Sequence, residues 1–329
     1  MMVDLTETTA AVVATTLAKA RWAIGGPTTG LVLTLVIMAD EASTYDAVRA
    51  AAEAGREHPC RVLSVVARPG RGDARLDAEV RVGGEAGTPG ETVILRLHGP
   101  LAQHPESVVL PLLVPDAPVV VWWPGSGPAI PGKDPCGALA VRRITDAAAA
   151  ARPMKALAAR QAGYLVGDTD LSWTRLTTWR TALAAALDEP YDPIIGIEVH
   201  AARGNPSAEL LTLWLEQRLE VPAERVLSKG PGITMVVLRS ANGDITLSRP
   251  DGRVAKLTRP GSPERTVALP RRSTAELLAE ELRRLDPDEV FASVIASLGA
   301  AAAHDNTKGE STHPDDDFDD PEGPVGDNG

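Results

Sequence analysis

Leu31-Val-Leu-Thr-Leu-Val-Ile-Met38 and Arg61-Val-Leu-Ser-Val-Val-Ala67 are two short, almost wholly apolar runs separated by an Ala-rich stretch. A run this short that is apolar almost throughout, on both alternating sets of positions, marks a strand covered on both faces, the usual state of a strand in a parallel sheet. The stretch between them, which ends at Gly55, reads as a helix with Ser43 as its cap and Val48 turned inward. Strand, helix and strand in this order require a right-handed crossover and a parallel pair. That unit sets the fold class as α/β.

Outward from it, Leu5, Ala10, Val13, Leu17, Ala20 and Ile24 recur at helical spacing, so Leu5–Trp22 is expected to be a helix that Gly25-Gly26-Pro27 stops. Leu76–Val82 and Val93–His98 alternate apolar and polar residues about a Gly-rich turn, an antiparallel extension of the sheet. A short helix around Glu106–Leu113, strands at Pro118–Trp123 and Ala140–Thr145, and a helix at Pro153–Ala162 complete a layered α/β domain with a mixed sheet. Its expected span is 1–168.

Residues 169–300 read as an α+β domain with a mostly antiparallel sheet. Its expected elements are a long helix Leu171–Leu187, a strand Ile194–Ala201 and a helix from Asn205-Pro206 through Leu219. A meander follows, Ile233–Ser240, Asp244–Ser248 and Val254–Leu257, with an Asn-Gly hairpin signal at Asn242-Gly243 and an edge at Thr266–Leu269. Helices Thr274–Leu285 and Pro287–Leu298 end the domain, the second with Asp286 as its expected cap. From His304 to Gly329 the sequence is mostly Asp, Gly, Pro, Asn and Thr around a lone Phe318, too polar to offset the entropy of ordering, and residues 301–329 are expected to be a disordered acidic tail.

The net charge of −11 belongs mostly to that tail. Nine of the 44 acidic residues and one of the 33 basic residues lie from Ala301 onward, so the rest of the 329-residue chain is close to neutral. Without a basic stripe interleaved with aromatics, nucleic acid is not an expected partner. The longest apolar stretches, Leu31–Ala39 and Val108–Trp123, are too short or too broken to span a bilayer. Cys60 and Cys136 stand apart from any metal spacing and read as buried thiols, and the expected compartment is the cytoplasm.

A catalytic constellation is missing from the pattern. Phosphate-loop, dinucleotide, nucleophile-elbow and zinc-helix motifs do not occur, and the six histidines are scattered. No cofactor is expected. Asp168 and Asp170 would serve as an acid–base pair, but a helix start asks for the same residues as cap and dipole partners, which is the simpler reading. Aromatics are 3% of the chain and six of them are Trp, so the places where Trp gathers stand out.

Two segments do so. Trp122-Trp123-Pro124-Gly125-Ser126-Gly127-Pro128 follows directly on a buried strand, where open α/β sheets present their binding loops. Its Gly residues leave N–H groups for a phosphate, and its Trp residues suit a protein partner. In the expected helix Leu171–Leu187, Leu176, Trp179, Leu183 and Leu187 form a core-facing stripe flanked by Trp173 with Arg180 and by Arg175. An Arg at such spacing can lie over an indole, and Trp with Arg is the composition of interface hot spots. Trp122, Trp123, Asp170, Trp173, Arg175, Trp179 and Arg180 are therefore the candidate partner-binding residues, with burial as core the competing reading.

Pro111-Leu-Leu-Val-Pro115-Asp116-Ala-Pro118 running into Val119-Val-Val-Trp122-Trp123-Pro124 resembles a signature of the glucose-6-phosphate dehydrogenase assembly proteins, the OpcA family. So does Gly167-Asp-Thr-Asp170-Leu-Ser-Trp173-Thr-Arg175-Leu-Thr-Thr-Trp179-Arg180. The resemblance implies a non-catalytic bacterial protein that binds glucose-6-phosphate dehydrogenase, promotes its active oligomer and supports the oxidative pentose phosphate pathway and its NADPH supply. The alternative from another class is a sugar-phosphate-binding domain, or an enzyme, that uses the loop after Trp123.

Overall fold

The computed structural model describes residues 1–23, 30–83 and 90–308. The chain opens with strand β1 (Met2–Thr8), helix α1 (Ala10–Ala23), β2 (Leu33–Ala39), helix α2 (Thr44–Ala54) and β3 (Cys60–Arg68). β2 and β3 pair in parallel from Leu33–Cys60 to Ala39–Val66, as their apolar runs predict. β4 (Arg75–Val82) and β5 (Glu91–His98) extend the sheet, β4 antiparallel to β5 and β5 parallel to β3. After the short helix α3 (Pro105–Val109) come β6 (Val119–Trp122), β7 (Arg142–Thr145), helix α4 (Pro153–Ala162) and β8 (Asp168–Asp170). The eight strands lie in the order β1-β4-β5-β3-β2-β6-β7-β8. The chain thus runs outward from β2 in one direction and from β6 in the other, and their carboxyl ends flank a topological switch point.

Helices α5 (Leu171–Thr174), α6 (Thr177–Ala186) and α7 (Pro206–Leu219) lead into a second sheet. Its strands are β9 (Ile194–Ala201), β10 (Ala223–Leu227), β11 (Ile233–Ser240), β12 (Ile245–Ser248), β13 (Val254–Arg259) and β14 (Ser262–Ala268), in the order β10-β9-β11-β12-β13-β14. All neighbours are antiparallel except β10, which runs parallel to β9. Helices α8 (Thr274–Arg283) and α9 (Glu289–Lys308) end the described chain.

Three apolar clusters hold these layers together. One face of the first sheet packs with α1 through Val13, Leu17, Val65, Val93 and Trp123. The other packs Leu35, Ile37, Val62 and Trp122 against α2 and also against Leu277, Leu278 and Leu282 of α8. Helix α8 therefore returns from the far end of the sequence to cover the first sheet. Each such Leu or Ile contributes about 1.5–3 kcal/mol when fully buried. The third cluster lies between one face of the second sheet and α6, α7 and α9, and it takes in Leu157 from α4. The two sheets are not covered by contiguous halves of the chain.

Several expectations are corrected. Leu5 lies in β1, which pairs with β4 along the sheet edge, and the helix begins only at Ala10. The edge offers backbone partners that a helical turn at Leu5 could not use. Ser43 makes no side-chain cap on α2, because its own backbone is already helical at φ −94° and ψ −13°; its N–H and hydroxyl instead donate to Asp40 Oδ1 at 2.7 and 2.5 Å. The expected helix Leu171–Leu187 is two helices that break at Arg175–Leu176, and Asp168-Thr169-Asp170 is a strand before it. Asp288, not Asp286, caps α9, accepting the Phe291 N–H at 2.9 Å. β10 was not anticipated; its Ala-Glu-Arg-Val-Leu alternates too weakly to stand out and is fixed by pairing with β9. Helix α9 runs to Lys308, past the Leu298 end expected for it. The stop at Gly25-Gly26-Pro27, most of the Gly-rich turn before β5, and residues 309–329 lie outside the described residues.

Candidate functional site

β6, β7 and β8 end side by side, and the segment that follows β8 turns directly beneath the second sheet. Gly167 leads into β8 with φ +95°, and a Cβ there would lie 2.5 Å from Val141 O. Only glycine meets both conditions. The side chains of Trp122 and Trp123 leave β6 on opposite faces and are 1% and 5% exposed, one in each cluster of the first sheet. Trp173 and Trp179 are 1% and 2% exposed in the cluster of the second. All four are core residues. The Trp pair is mortar in each layer, and its burial follows from an aromatic-poor sequence that has few other large side chains to fill space.

Asp170 is fully buried. Its carboxylate accepts Thr145 Oγ1 at 2.7 Å, the Ala147 N–H at 2.9 Å and the Ser172 N–H at 2.9 Å, so it ties β7 and β8 together and caps α5. Asp168 accepts from Arg143 Nε and from the Leu165 N–H. Asp146 receives both arms of Arg175, at 2.8 and 2.7 Å. Burial pulls the Arg175 guanidinium down, but the Asp146 hydrogen bond and charge outweigh it and leave the group above its ordinary value. Every carboxylate in this corner is thus committed to an internal partner.

Contacts to the end of the chain complete the joint. Arg142 Nε donates to Glu281 Oε2 at 3.0 Å, and Thr174 Oγ1 donates to Glu281 Oε1 at 2.5 Å, with Arg142 and Glu281 both buried. Trp173 Nε1 donates to Asp288 Oδ2 at 2.8 Å, so one carboxylate holds an indole and caps α9. The Arg180 guanidinium lies 3.9 Å from the centre of the Trp173 ring, the pairing the sequence spacing predicts. Arg175 does not stack on Trp179; Arg249 does, at 4.8 Å. Of the seven candidate residues only Arg175 and Arg180 reach solvent, and both only in part.

Arg142, Asp146, Glu281 and Asp288 were not anticipated. Arg142-Arg143 inside a buried strand did carry a signal, since a buried charge requires a partner. Nothing local says that the partner is on α8.

Beyond β6 and β7 a cleft of about 370 Å³ is lined by Gly125, Ser126, Gly127, Lys155 and Arg160 among others. Arg160 NH2 reaches Gly127 O at 3.4 Å. Burial holds the Arg160 guanidinium below its ordinary value, against the pull of Asp170 and Asp168. This is the place that the alternative reading gives to a phosphate.

Two family models match the chain. One, described as glucose-6-phosphate dehydrogenase subunit N-terminal domain, covers residues 51–162, and the other, described as the C-terminal domain of the same subunit, covers residues 166–295. The chain belongs to the OpcA family of glucose-6-phosphate dehydrogenase assembly proteins. In this OpcA chain the Trp-rich signature Gly167–Arg180 is the joint between the two sheets.

No curated protein matches the chain. Among solved structures, a 3-ketoreductase from Actinomadura kijaniata in complex with NADP and TDP-benzene is 10% identical over 82% of this chain and 96% of its own, with a TM-score of 0.46. The oxidoreductase YvaA from Bacillus subtilis is 12% identical over 84% and 98%, with a TM-score of 0.36. Neither likeness is close enough to bear on activity. No helix among the described residues is long and apolar enough to cross a membrane. Cys60 and Cys136 are buried in different clusters, and burial pushes both thiols up to about 12, so neither is a thiolate at neutral pH.

Burial, and then the charge of Asp146, raise Asp170 above the ordinary carboxylate value of 3.8, against the hydrogen bonds of Thr145 and Ser172. A folded-state pKa above the unfolded one means that the native state takes the proton more readily. The stabilisation is then complete at low pH and is lost as pH rises through the folded value. Asp170→Asn cannot titrate, so its melting temperature relative to the parent is expected to improve steadily from acidic to neutral pH. A difference that stays flat over that range contradicts the shift.

Proposed function

We propose that this chain is a non-catalytic assembly factor that binds glucose-6-phosphate dehydrogenase and favours its active oligomer, and so supports NADPH supply through the oxidative pentose phosphate pathway in the cytoplasm. The observation that carries the reading is the full commitment of Asp146, Asp168 and Asp170 to internal partners, in a chain whose family is defined by the dehydrogenase. Carboxylates spent on holding backbone and arginine in place are a scaffold. Trp122, Trp123, Asp170, Trp173, Arg175, Trp179 and Arg180 then serve the partner by fixing the two sheets as one body.

The contact itself is assigned to the second sheet. Helices α6, α7 and α9 pack on one of its faces. The residues on the opposite face include Glu198, His200, Met235, Thr246, Ser248 and Thr258, which are exposed or half-buried and mix polar with apolar groups as non-obligate interfaces do. An activator acts by binding the active form more tightly, and a tenfold shift in population needs about 1.4 kcal/mol of preference.

The test is co-purification of the full chain with the dehydrogenase, then an activity assay with and without it. The double variant Thr246→Arg, Thr258→Glu sets an opposed charge pair on cross-strand neighbours, which the sheet tolerates and a fitted partner does not. It is expected to keep the parent's melting temperature and to lose most of the activation. Full activation by this variant rejects the face, and a parent that neither binds nor activates the enzyme rejects the function.

A further inference from the structure

A second concavity, of about 540 Å³, opens between α4, the start of α7 and the end of the second sheet, and its walls are crowded with arginine. Arg175, Arg203, Arg249, Arg271 and Arg272 line it, and none of the other described residues that line it is acidic. Arg175 and Arg272 are neutralised by Asp146 and Glu280. Arg203, Arg249 and Arg271 have no carboxylate partner among the described residues, and Arg203 and Arg271 are exposed.

Arg249 is the unusual member. It is 6% exposed, and two of its nitrogens are used on backbone carbonyls, NH1 on Leu269 O at 2.8 Å and NH2 on Ile233 O at 3.2 Å. Its Nε is buried with no acceptor. Burial, and then the charge of Arg271, hold the guanidinium below its ordinary value. The one carboxylate that opposes this, Asp251, is itself held by the N–H groups of Arg253 and Val254. A buried guanidinium kept beside a second one, with a donor unspent, is stabilised by any anion that enters.

Helix α7 adds to the field. It starts on the groove at Pro206, and the partial positive charge of its N-terminus faces the same space. It supplies no free N–H, because Asn205 Oδ1 already accepts those of Ser207 and Ala208 and Pro206 has none. Recognition therefore falls to the arginines. Their planar forks each match a pair of anionic oxygens, and three converging arginines suit the three oxygens and double charge of a phosphate more fully than the two oxygens of a carboxylate. Leu176, Trp179 and Ile233 give the groove an apolar wall, and its size suits an organic molecule rather than a bare ion.

We propose that this groove binds a small phosphate-bearing metabolite, its phosphate held by Arg203, Arg249 and Arg271. The site is distinct from the cleft beyond β6 and lies on the chain whether or not the dehydrogenase is present.

The test is calorimetric titration of the isolated full chain, at fixed ionic strength, with glucose 6-phosphate, pyrophosphate and inorganic phosphate, and with glucose as the neutral control. Glucose 6-phosphate is expected to bind more tightly than inorganic phosphate, and glucose to give no heat. The exposed pair Arg203→Gln, Arg271→Gln is expected to weaken binding at least tenfold with an unchanged melting temperature, while Lys155→Gln in the other cleft leaves it unaltered. Three results overturn the proposal: no heat with any phosphate probe at millimolar concentration, parent-like binding by the arginine pair, or loss of binding in Lys155→Gln instead. Because no dehydrogenase is in the cell, a failure here leaves the assembly reading untouched, and a failure of co-purification leaves this site untouched.

Discussion

Trp173→Ala is expected to destabilise the protein by about 3–5 kcal/mol, the range for removing a fully buried large aromatic from a core. The ring is 1% exposed, 5.8 Å from Phe291 centre to centre, and covered by Arg180 on another side. Its loss leaves a cavity between α5 and α9. It also strips Asp288 of the indole N–H and Arg180 of the surface it lies on, although Asp288 keeps its cap on Phe291. Trp173→Phe separates these effects. It keeps most of the volume and loses the hydrogen bond, for a cost of about 1–3 kcal/mol. Chemical denaturation of the two variants and the parent measures both, and an alanine variant within 1 kcal/mol of the parent would falsify the assignment of this residue as the central filler of the joint.

Glu281→Ala carries a loss of similar size for a different reason. Arg142 sits in β7 with its side chain 5% exposed, and Glu281 on α8 is 6% exposed. Removing the acid leaves a guanidinium buried without its countercharge, at a cost of about 3–5 kcal/mol. It also takes from Thr174 Oγ1 its acceptor at 2.5 Å and leaves it only the Asp170 carbonyl at 3.5 Å. Arg142 would retain one bond, from NH1 to Asp286 O at 2.8 Å. The double variant Arg142→Met, Glu281→Leu removes both charges and fills much the same space, so it is expected to recover most of the loss, as apolar replacement of buried pairs often does. A double variant no more stable than Glu281→Ala contradicts the view that the unpaired charge is the cost. Since the pair joins strand to returning helix, proteolysis within residues 270–288 should increase in the single variant and not in the double.

Much of the architecture was legible because it rests on local signals. The β2 and β3 runs are apolar almost throughout, and a sheet covered on both sides accommodates that. Asn205-Pro206 names a helix start by chemistry that needs no distant partner, and its side chain does accept two N–H groups of α7. Val119–Trp122, Ile194–Ala201 and Ile233–Ser240 likewise follow from alternation or continuous apolar character. The errors lie where the deciding partner is remote. Asp170 does cap a helix start, as its chemistry suggests, but the pairing of Asp168–Asp170 as a short strand with Arg143–Thr145 of β7 has no local signal. The helix expected through Leu187 breaks at Arg175, which is drawn to Asp146. Asp286 is the cap expected from sequence, whereas Asp288, which also accepts the indole N–H of the remote Trp173, is the one that caps α9.

The sequence by itself determined which residues matter: a chain poor in aromatics concentrates Trp and Arg in two segments, and apolar periodicity places those segments on a strand end and a helix start. Whether the rings face a partner or a core was left to the tertiary structure. The reason is that a Trp side chain has the same composition in either setting, and its exposure depends on what packs over it. For Trp122 and Trp173 that includes α8 and α9, which come from more than a hundred residues away and bring Glu281 and Asp288 with them. The same folding gathers Arg203, Arg249 and Arg271 into one groove. Their separation in the chain hides a concentration of charge that becomes visible only when three segments meet.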